Sequence, residues 1–257
     1  MYETAIYIIQ PVAALVAFVG IAYLILFGPF RRVFATRLIQ PQDQGNNRNL
    51  LLHDLGFTLL NLSIVVTLTT FLAQWLFNHS LISTLTSPSV TTSVAQFILY
   101  FFAFDLYYYL WHRLLHTKFL YKHVHSHHHK STRPTPLTSY AVHPIEGFVS
   151  FLFTIMLFIP LDMSVAALMA MNAYSVLHSV VIHGGHDFFP RWWYQKNVSK
   201  CYVTPVFHDL HHKDTEGVNF GIYTTIWDRV FGTISPALQT TFDRVSGAVV
   251  TARTGSR

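Results

Sequence analysis

Residues 94–129 read V-A-Q-F-I-L-Y-F-F-A-F-D-L-Y-Y-Y-L-W-H-R-L-L-H-T-K-F-L-Y-K-H-V-H-S-H-H-H. The stretch opens as an apolar run and closes as a concentration of imidazoles. Val94 to Trp111 has the character of a membrane-spanning helix, interrupted by one acid, Asp105. His112 and His116 follow as H-x-x-x-H. At 100° per residue, Asp105, His112 and His116 lie within roughly 20° of one helix face. The sequence therefore describes a helix with its body in lipid and metal-binding side chains at one end.

Working outward, fourteen of the sixteen histidines fall between positions 112 and 212. His125, His128 and His129 form H-x-x-H-H, and His208, His211 and His212 repeat that spacing. On a helix, positions i, i+3 and i+4 share a face, so each trio is expected to present three imidazoles to one point. A looser cluster holds His178, His183 and His186. Imidazole binds iron, zinc, copper and nickel. Nine or ten convergent histidines exceed one tetrahedral ion and predict two metals. The bland alternative is a solvated histidine-rich loop at 123–129. The second trio stands in a segment without that richness, which favours shaped ligation.

Only 11% of the 257 residues are charged, and the mean hydropathy is +0.35. Thr4 to Phe30 and Leu55 to Phe77 are further runs long enough to span a bilayer. Gly147 to Ile182 is a fourth, broken by Pro160, Leu161 and Asp162 into parts of about 13 and about 19 residues, the first short for a span. It reads as a helical hairpin turning near Pro160, or as a re-entrant segment followed by one full helix. The expected fold is all-α, with about four transmembrane helices (one pair as a hairpin) and a cytoplasmic helical cap holding a di-metal site. One domain, 1–257, is expected, with its motifs between 94 and 235.

All seventeen lysines and arginines lie in 31–48, 113–133 and 191–257. The positive-inside rule makes those segments cytoplasmic and places the histidine clusters on that face. The sequence pI near 9.3 then reflects orientation and attraction to anionic lipid headgroups. No nucleic-acid motif is present, and none is expected as a partner. Cys201 is alone, which excludes a disulfide framework or a cysteine zinc finger. There is no phosphate loop or dinucleotide fingerprint. Trp192, Trp193 and Tyr194 read as interfacial anchors or as the lining of a substrate entrance.

Asp105 could pair with an arginine, orient a histidine through its far ring nitrogen, or pair with a hydroxyl or backbone of another helix. Histidine spacing alone allows zinc as well as iron. A membrane zinc hydrolase, activating water, and a metal transporter are the rival classes.

The pieces D-L-Y-Y-Y-L-W-H-R-L-L-H (105–116), H-S-H-H-H-K-S-T-R-P (125–134) and A-V-H-P-I-E (141–146) resemble the fatty acid hydroxylase/sterol desaturase superfamily. So do H-G-G-H-D-F-F-P (183–190), H-D-L-H-H (208–212), N-F-G (219–221) and W-D-R-V-F-G-T (227–233). The pieces span about half the chain in family order, and the chain is similar to sterol C4-methyl oxidases and bacterial sterol desaturase-like proteins. The resemblance implies a membrane di-iron oxygenase that hydroxylates or oxidises a lipid C–H position, or desaturates it at the same site.

By position, the resemblance puts the metal ligands on His112, His116, His125, His128, His129, His183, His208, His211 and His212. His178 is the expected tenth, and His186 could substitute. A straight helix would hold His178 and His183 about 140° apart, so their convergence needs a bend, for which Gly184 and Gly185 provide. Asp105, Tyr109, His143, Glu146 and Asp209 are expected to support the ligands, and His123 and His127 to be bystanders. The implied cofactors are two iron ions, replaceable by zinc on isolation, with O2 as co-substrate. The implied partners are a lipid substrate, membrane lipids and a separate electron donor of cytochrome b5, ferredoxin or rubredoxin type. A bacterial inner membrane and an endoplasmic reticulum membrane both remain open.

Overall fold

The computed structural model describes residues 2–40, 48–81, 83–85, 88–158, 161–214 and 217–254. Its helices are α1 (Tyr2–Phe27), α2 (Arg31–Phe34), α3 (Arg48–Asn78), α4 (Val90–Leu115), α5 (Lys118–His123), α6 (Pro144–Phe158), α7 (Val165–Ile182), α8 (Pro205–Lys213), α9 (Ile226–Phe231) and α10 (Leu238–Thr254). Short 3-10 turns, including His125–Lys130 and Pro136–Tyr140, link them. Two short strands, β1 (Thr84–Leu85) and β2 (Met163–Ser164), pair in parallel.

Among the described residues, three helices, α3, α4 and α7, are long and apolar enough to cross a membrane. Ala13–Phe27 and Arg31–Arg37 make a fourth candidate, bent by 71°. The spans keep large apolar side chains on the outside: Leu60, Leu68, Phe71 and Trp75 on α3, Ile98, Phe102 and Leu110 on α4. In water such a surface would drive association; in a bilayer it is the solvated face. Ser89 caps α4, its hydroxyl accepting from the Thr92 N–H at 3.0 Å, and Ser164 caps α7.

The apolar run at 147–182 becomes α6 and α7, and Pro160 lies outside the described residues. The two legs splay apart around α4: α6 packs on α3 and α4, and α7 packs on α4. A cavity of about 260 Å³ opens between these four helices. Their other ends carry the site. His116 caps the C-terminus of α4, and His183 caps that of α7. Gly185, at φ +64°, turns the chain away after α7, where a Cβ would stand 3.0 Å from the Pro134 carbonyl.

The aromatic triplet divides. Trp192 is exposed beside Lys196. Trp193 packs on Phe189 and Tyr202, and Tyr194 is a core residue against Phe242. Tyr194 departs from the expectation because its hydroxyl finds Thr204 inside.

Candidate metal centre

Nine imidazoles from four segments meet in two adjoining groups. His112, His116, His125, His129 and His211 form one, and His128, His183, His208 and His212 the other. Within each group the candidate ligand atoms lie within 4.8 Å of one another. All nine are buried except His116, which is half-buried.

Each H-x-x-H-H trio serves both groups, so the expectation that a trio aims at one point is corrected. His208 and His212 on α8 are about 40° apart, whereas His211 lies about 60° to the other side of His208. The face of α8 therefore straddles two positions. The first trio lies in a 3-10 turn, not an α-helix, and its His128 likewise parts from His125 and His129.

Backbone oxygens fix the ring tautomers. Nδ1 of His112 donates to the Phe220 carbonyl at 2.8 Å, and Nδ1 of His211 to that of Val218 at 2.7 Å. Nδ1 of His183 donates to the Ser179 carbonyl at 2.7 Å, and Nδ1 of His125 to the Glu146 carboxylate at 2.9 Å. A proton on Nδ1 leaves a lone pair on Nε2. The Nε2 atoms of His112 and His125 nevertheless face each other at 3.1 Å. Neither can donate, so the contact is repulsive without a cation beside it. His129 Nε2 stands 3.1 Å from the Nε2 atoms of both His125 and His211. In the second group, His183 and His208 approach to 2.9 Å and His208 and His212 to 3.2 Å.

Burial also favours the neutral form of six of these rings. Burial, then the neighbouring His211 and His125, lowers His116 to about 2. Burial lowers His211 to about 3 and His183 to about 4, and holds His128, His208 and His212 well below the ordinary value. Neutral, convergent, buried imidazoles fit a pair of transition-metal ions.

His178 does not join either group. Its Nδ1 is 2.7 Å from the Tyr202 hydroxyl and its Nε2 is 2.7 Å from the Ile222 carbonyl. α7 does end after Ile182, as convergence required, but His178 lies a full turn earlier on another face. His178→Ala is expected to retain both metal ions and to lower stability by about 1–3 kcal/mol through the unpaired Ile222 carbonyl; metal analysis and a melting curve check this. His186 is also outside both groups, held by the Gly184 carbonyl at 2.9 Å and packed on Phe27.

Of the expected supporting residues, Glu146 alone bonds a clustered histidine directly. Asp105 takes the backbone N–H groups of Tyr223 and Thr224 at 2.9 and 3.0 Å, and the Thr224 hydroxyl. It thus clamps the loop whose carbonyls orient His112 and His211, without touching an imidazole. Tyr109 bonds Thr233 and stacks on Phe231. His143 accepts from the Ile145 N–H and stacks on His127. Asp209, pushed up to about 7 by burial, accepts from Gln40 at 2.8 Å.

Three buried acids were passed over in the sequence. Asp228 accepts from the N–H groups of Phe220 and Gly221, both at 2.8 Å, and from the Thr233 hydroxyl. Gly221 is required there, since a Cβ would stand 2.3 Å from the Thr224 carbonyl. Asp54 takes the hydroxyls of Ser131 and Thr138, tying α3 to the first trio's turn. Asp187 takes the Val206 N–H at the start of α8. Asp187 and Asp228 stand inside the motifs at 183–190 and 227–233, which was the available signal.

The cavity between α3, α4, α6 and α7 reaches toward this centre. Glu146 and Ser179 line it, and each also holds one histidine, His125 and His183, one from either group.

A sequence model of the fatty acid hydroxylase family matches residues 97–233, more than half of the chain and all nine clustered histidines. This chain belongs to the fatty acid hydroxylase family. It is similar to a Delta(7)-sterol 5(6)-desaturase of Gibberella zeae, 36% identical over 118 residues, which are 46% of this chain and 31% of that protein. A Delta(7)-sterol 5(6)-desaturase of Leptosphaeria maculans is 33% identical over 109 residues, 41% of this chain and 27% of that protein. The matched stretch thus spans less than a third of either relative. No solved structure matches the chain.

Proposed function

We propose that the protein is a membrane oxygenase that uses O2 and external electrons at a di-iron centre to hydroxylate a C–H position of a lipid. The observation that carries this reading is the pairing of nine imidazoles in two adjoining groups with a cavity between α3, α4, α6 and α7. Two iron ions held there would supply O2 activation. Hydroxylation converts one C–H to C–OH; with O2, two electrons and two protons it releases one water.

The chain's own residues set the conditions. Carbonyls of Val218, Phe220 and Ser179 and the Glu146 carboxylate hold ring nitrogens in one tautomer. Phe220 covers His112, His116 and His211 on one side of the centre. Tyr108, against His112, and Glu146 form the boundary between the centre and the cavity in which the lipid lies.

Electrons come from a separate protein of cytochrome b5, ferredoxin or rubredoxin type. Exposed Lys130 and Lys213, each beside a histidine trio, suit an acidic donor. The confinement of basic residues to three segments supports a cytoplasmic face for the centre.

Desaturation is the second reading, favoured by the desaturase names of both relatives. It removes two hydrogens from adjacent carbons and, with the same O2, electrons and protons, releases two waters. Lipid extracts of cells with and without the gene test both readings. A lipid gaining one oxygen or losing two hydrogens, dependent on O2 and reductant, is expected. A product formed without O2 or reductant would instead establish the hydrolase.

A further inference from the structure

Building on the O2-activating role proposed above, we infer that Tyr202, with His178 as its proton acceptor, is a redox station that draws oxidising power away from the metal centre when no lipid is in place to consume it. His178 is buried and belongs to neither imidazole group. Its Nε2 is 2.7 Å from the Ile222 carbonyl, which can only accept, so Nε2 carries the ring proton. Nδ1 therefore presents a lone pair, and the Tyr202 hydroxyl donates to it at 2.7 Å. A phenol gives up an electron readily only when its proton has somewhere to go. This one has a base within hydrogen-bond reach.

A continuous run of rings joins this pair to the centre on one side and to the surface on the other. The Tyr108 ring lies 5.4 Å from that of His112, centroid to centroid. Phe104 stands 5.9 Å from Tyr108 and 5.6 Å from Tyr223, and Tyr223 stands 5.5 Å from His178. Tyr108, Phe104 and Tyr223 all line the cavity, so the route begins where the lipid would lie. Phe104 is too hard to oxidise to hold a charge and serves as a bridge between the two phenols. The Tyr223 hydroxyl meets that of Ser175 at 2.6 Å, a far weaker base than imidazole, so the charge settles on Tyr202 instead. Outward, Tyr202 lies 6.1 Å from Trp193, and Trp193 lies 5.5 Å from the exposed Trp192. Among the described residues, the buried Trp193 Nε1 has no acceptor, so this indole relays a charge without losing its proton. Packing alone requires neither the proton acceptor nor an exposed indole at the outer end.

The step balances within these residues. Tyr202 passes one electron toward the centre and its hydroxyl proton to Nδ1 of His178. This leaves a tyrosyl radical beside an imidazolium whose Nε2–H still faces the Ile222 carbonyl. One electron from Trp193, replaced in turn from Trp192, restores Tyr202 as the proton returns from His178. A soluble thiol or ascorbate then supplies one electron to Trp192 at the surface.

The test is freeze-quench EPR of the iron-loaded, reduced protein, stripped of lipid in detergent and mixed with O2, followed by peptide mass spectrometry. The wild type is expected to show a tyrosyl signal that narrows with ring-deuterated tyrosine, and oxygen addition at Trp192. Tyr202→Phe, which keeps the ring, should lose both while retaining its iron. His178→Ala, which removes the proton acceptor, should also lose the tyrosyl signal, and covers the case in which Tyr202→Phe does not fold. Trp193→Leu should prolong the tyrosyl signal and leave Trp192 unmodified, which a merely structural role would not produce. No tyrosyl signal in the wild type, or one that persists in a folded Tyr202→Phe, overturns the assignment. Lipid extracts of the same cells separate this outcome from failure of the oxygenase. Oxidised lipid without a tyrosyl signal refutes the redox station alone, and the absence of both refutes the oxygenase as well.

Discussion

Alanine at His125, His128, His129, His208, His211 or His212 is expected to abolish lipid oxidation, while alanine at His123 or His127 leaves most of it. Replacing groups that merely orient metal ligands costs about 10–100-fold, so removing a ligand should cost at least about a hundredfold. The division of each trio sharpens the expectation. His128→Ala and His212→Ala should weaken the ion held with His183 and His208, and His129→Ala and His211→Ala the ion held with His112 and His116. Each should lower the metal content toward one ion per chain. His123 is exposed against Phe119, and His127 stacks on Phe57 and His143 away from both groups. Comparable losses at all five histidines between 123 and 129 would indicate a loose histidine-rich loop.

Asp228→Ala should be among the most damaging changes outside the histidines. It leaves the N–H groups of Phe220 and Gly221 without their acceptor, while the Thr233 hydroxyl keeps Tyr109. Unpaired buried donors cost about 1–3 kcal/mol each, so the loss from the two is about 2–6 kcal/mol, read as a lower melting temperature. The loop freed by the change carries the carbonyls that orient His112 and His211. Metal should therefore be lost from the group of five before the group of four. Asp228→Asn, which keeps an acceptor oxygen, should be milder. Equal metal loss from both groups would place the role of Asp228 in global stability alone.

Spans were legible because lipid demands long uninterrupted apolar runs, which α3, α4 and α7 supply. The nine clustered histidines were legible because their motifs bracket helix ends, and His112, His116 and His183 do stand there. The partition of each trio was not legible. It depends on where the face of α8 sits relative to the two positions and on the 3-10 winding at 125–130, which the spacing does not encode. His178 misled because sequence distance to the H-x-G element says nothing about which helix face it occupies. Asp105 was marked as unusual for its depth, but its partners, Tyr223 and Thr224, lie more than a hundred residues away. The splay of α6 and α7, and with it the cavity, follows from how both pack on α4 and leaves no periodic trace.

The central claim is that two adjoining imidazole groups hold two ions. Metal analysis of the iron-reconstituted protein, set against protein quantified by amino-acid analysis, tests it most directly. Two ions per chain, falling toward one in His128→Ala or His129→Ala, is the expected result. A single ion per chain under saturating metal would contradict it.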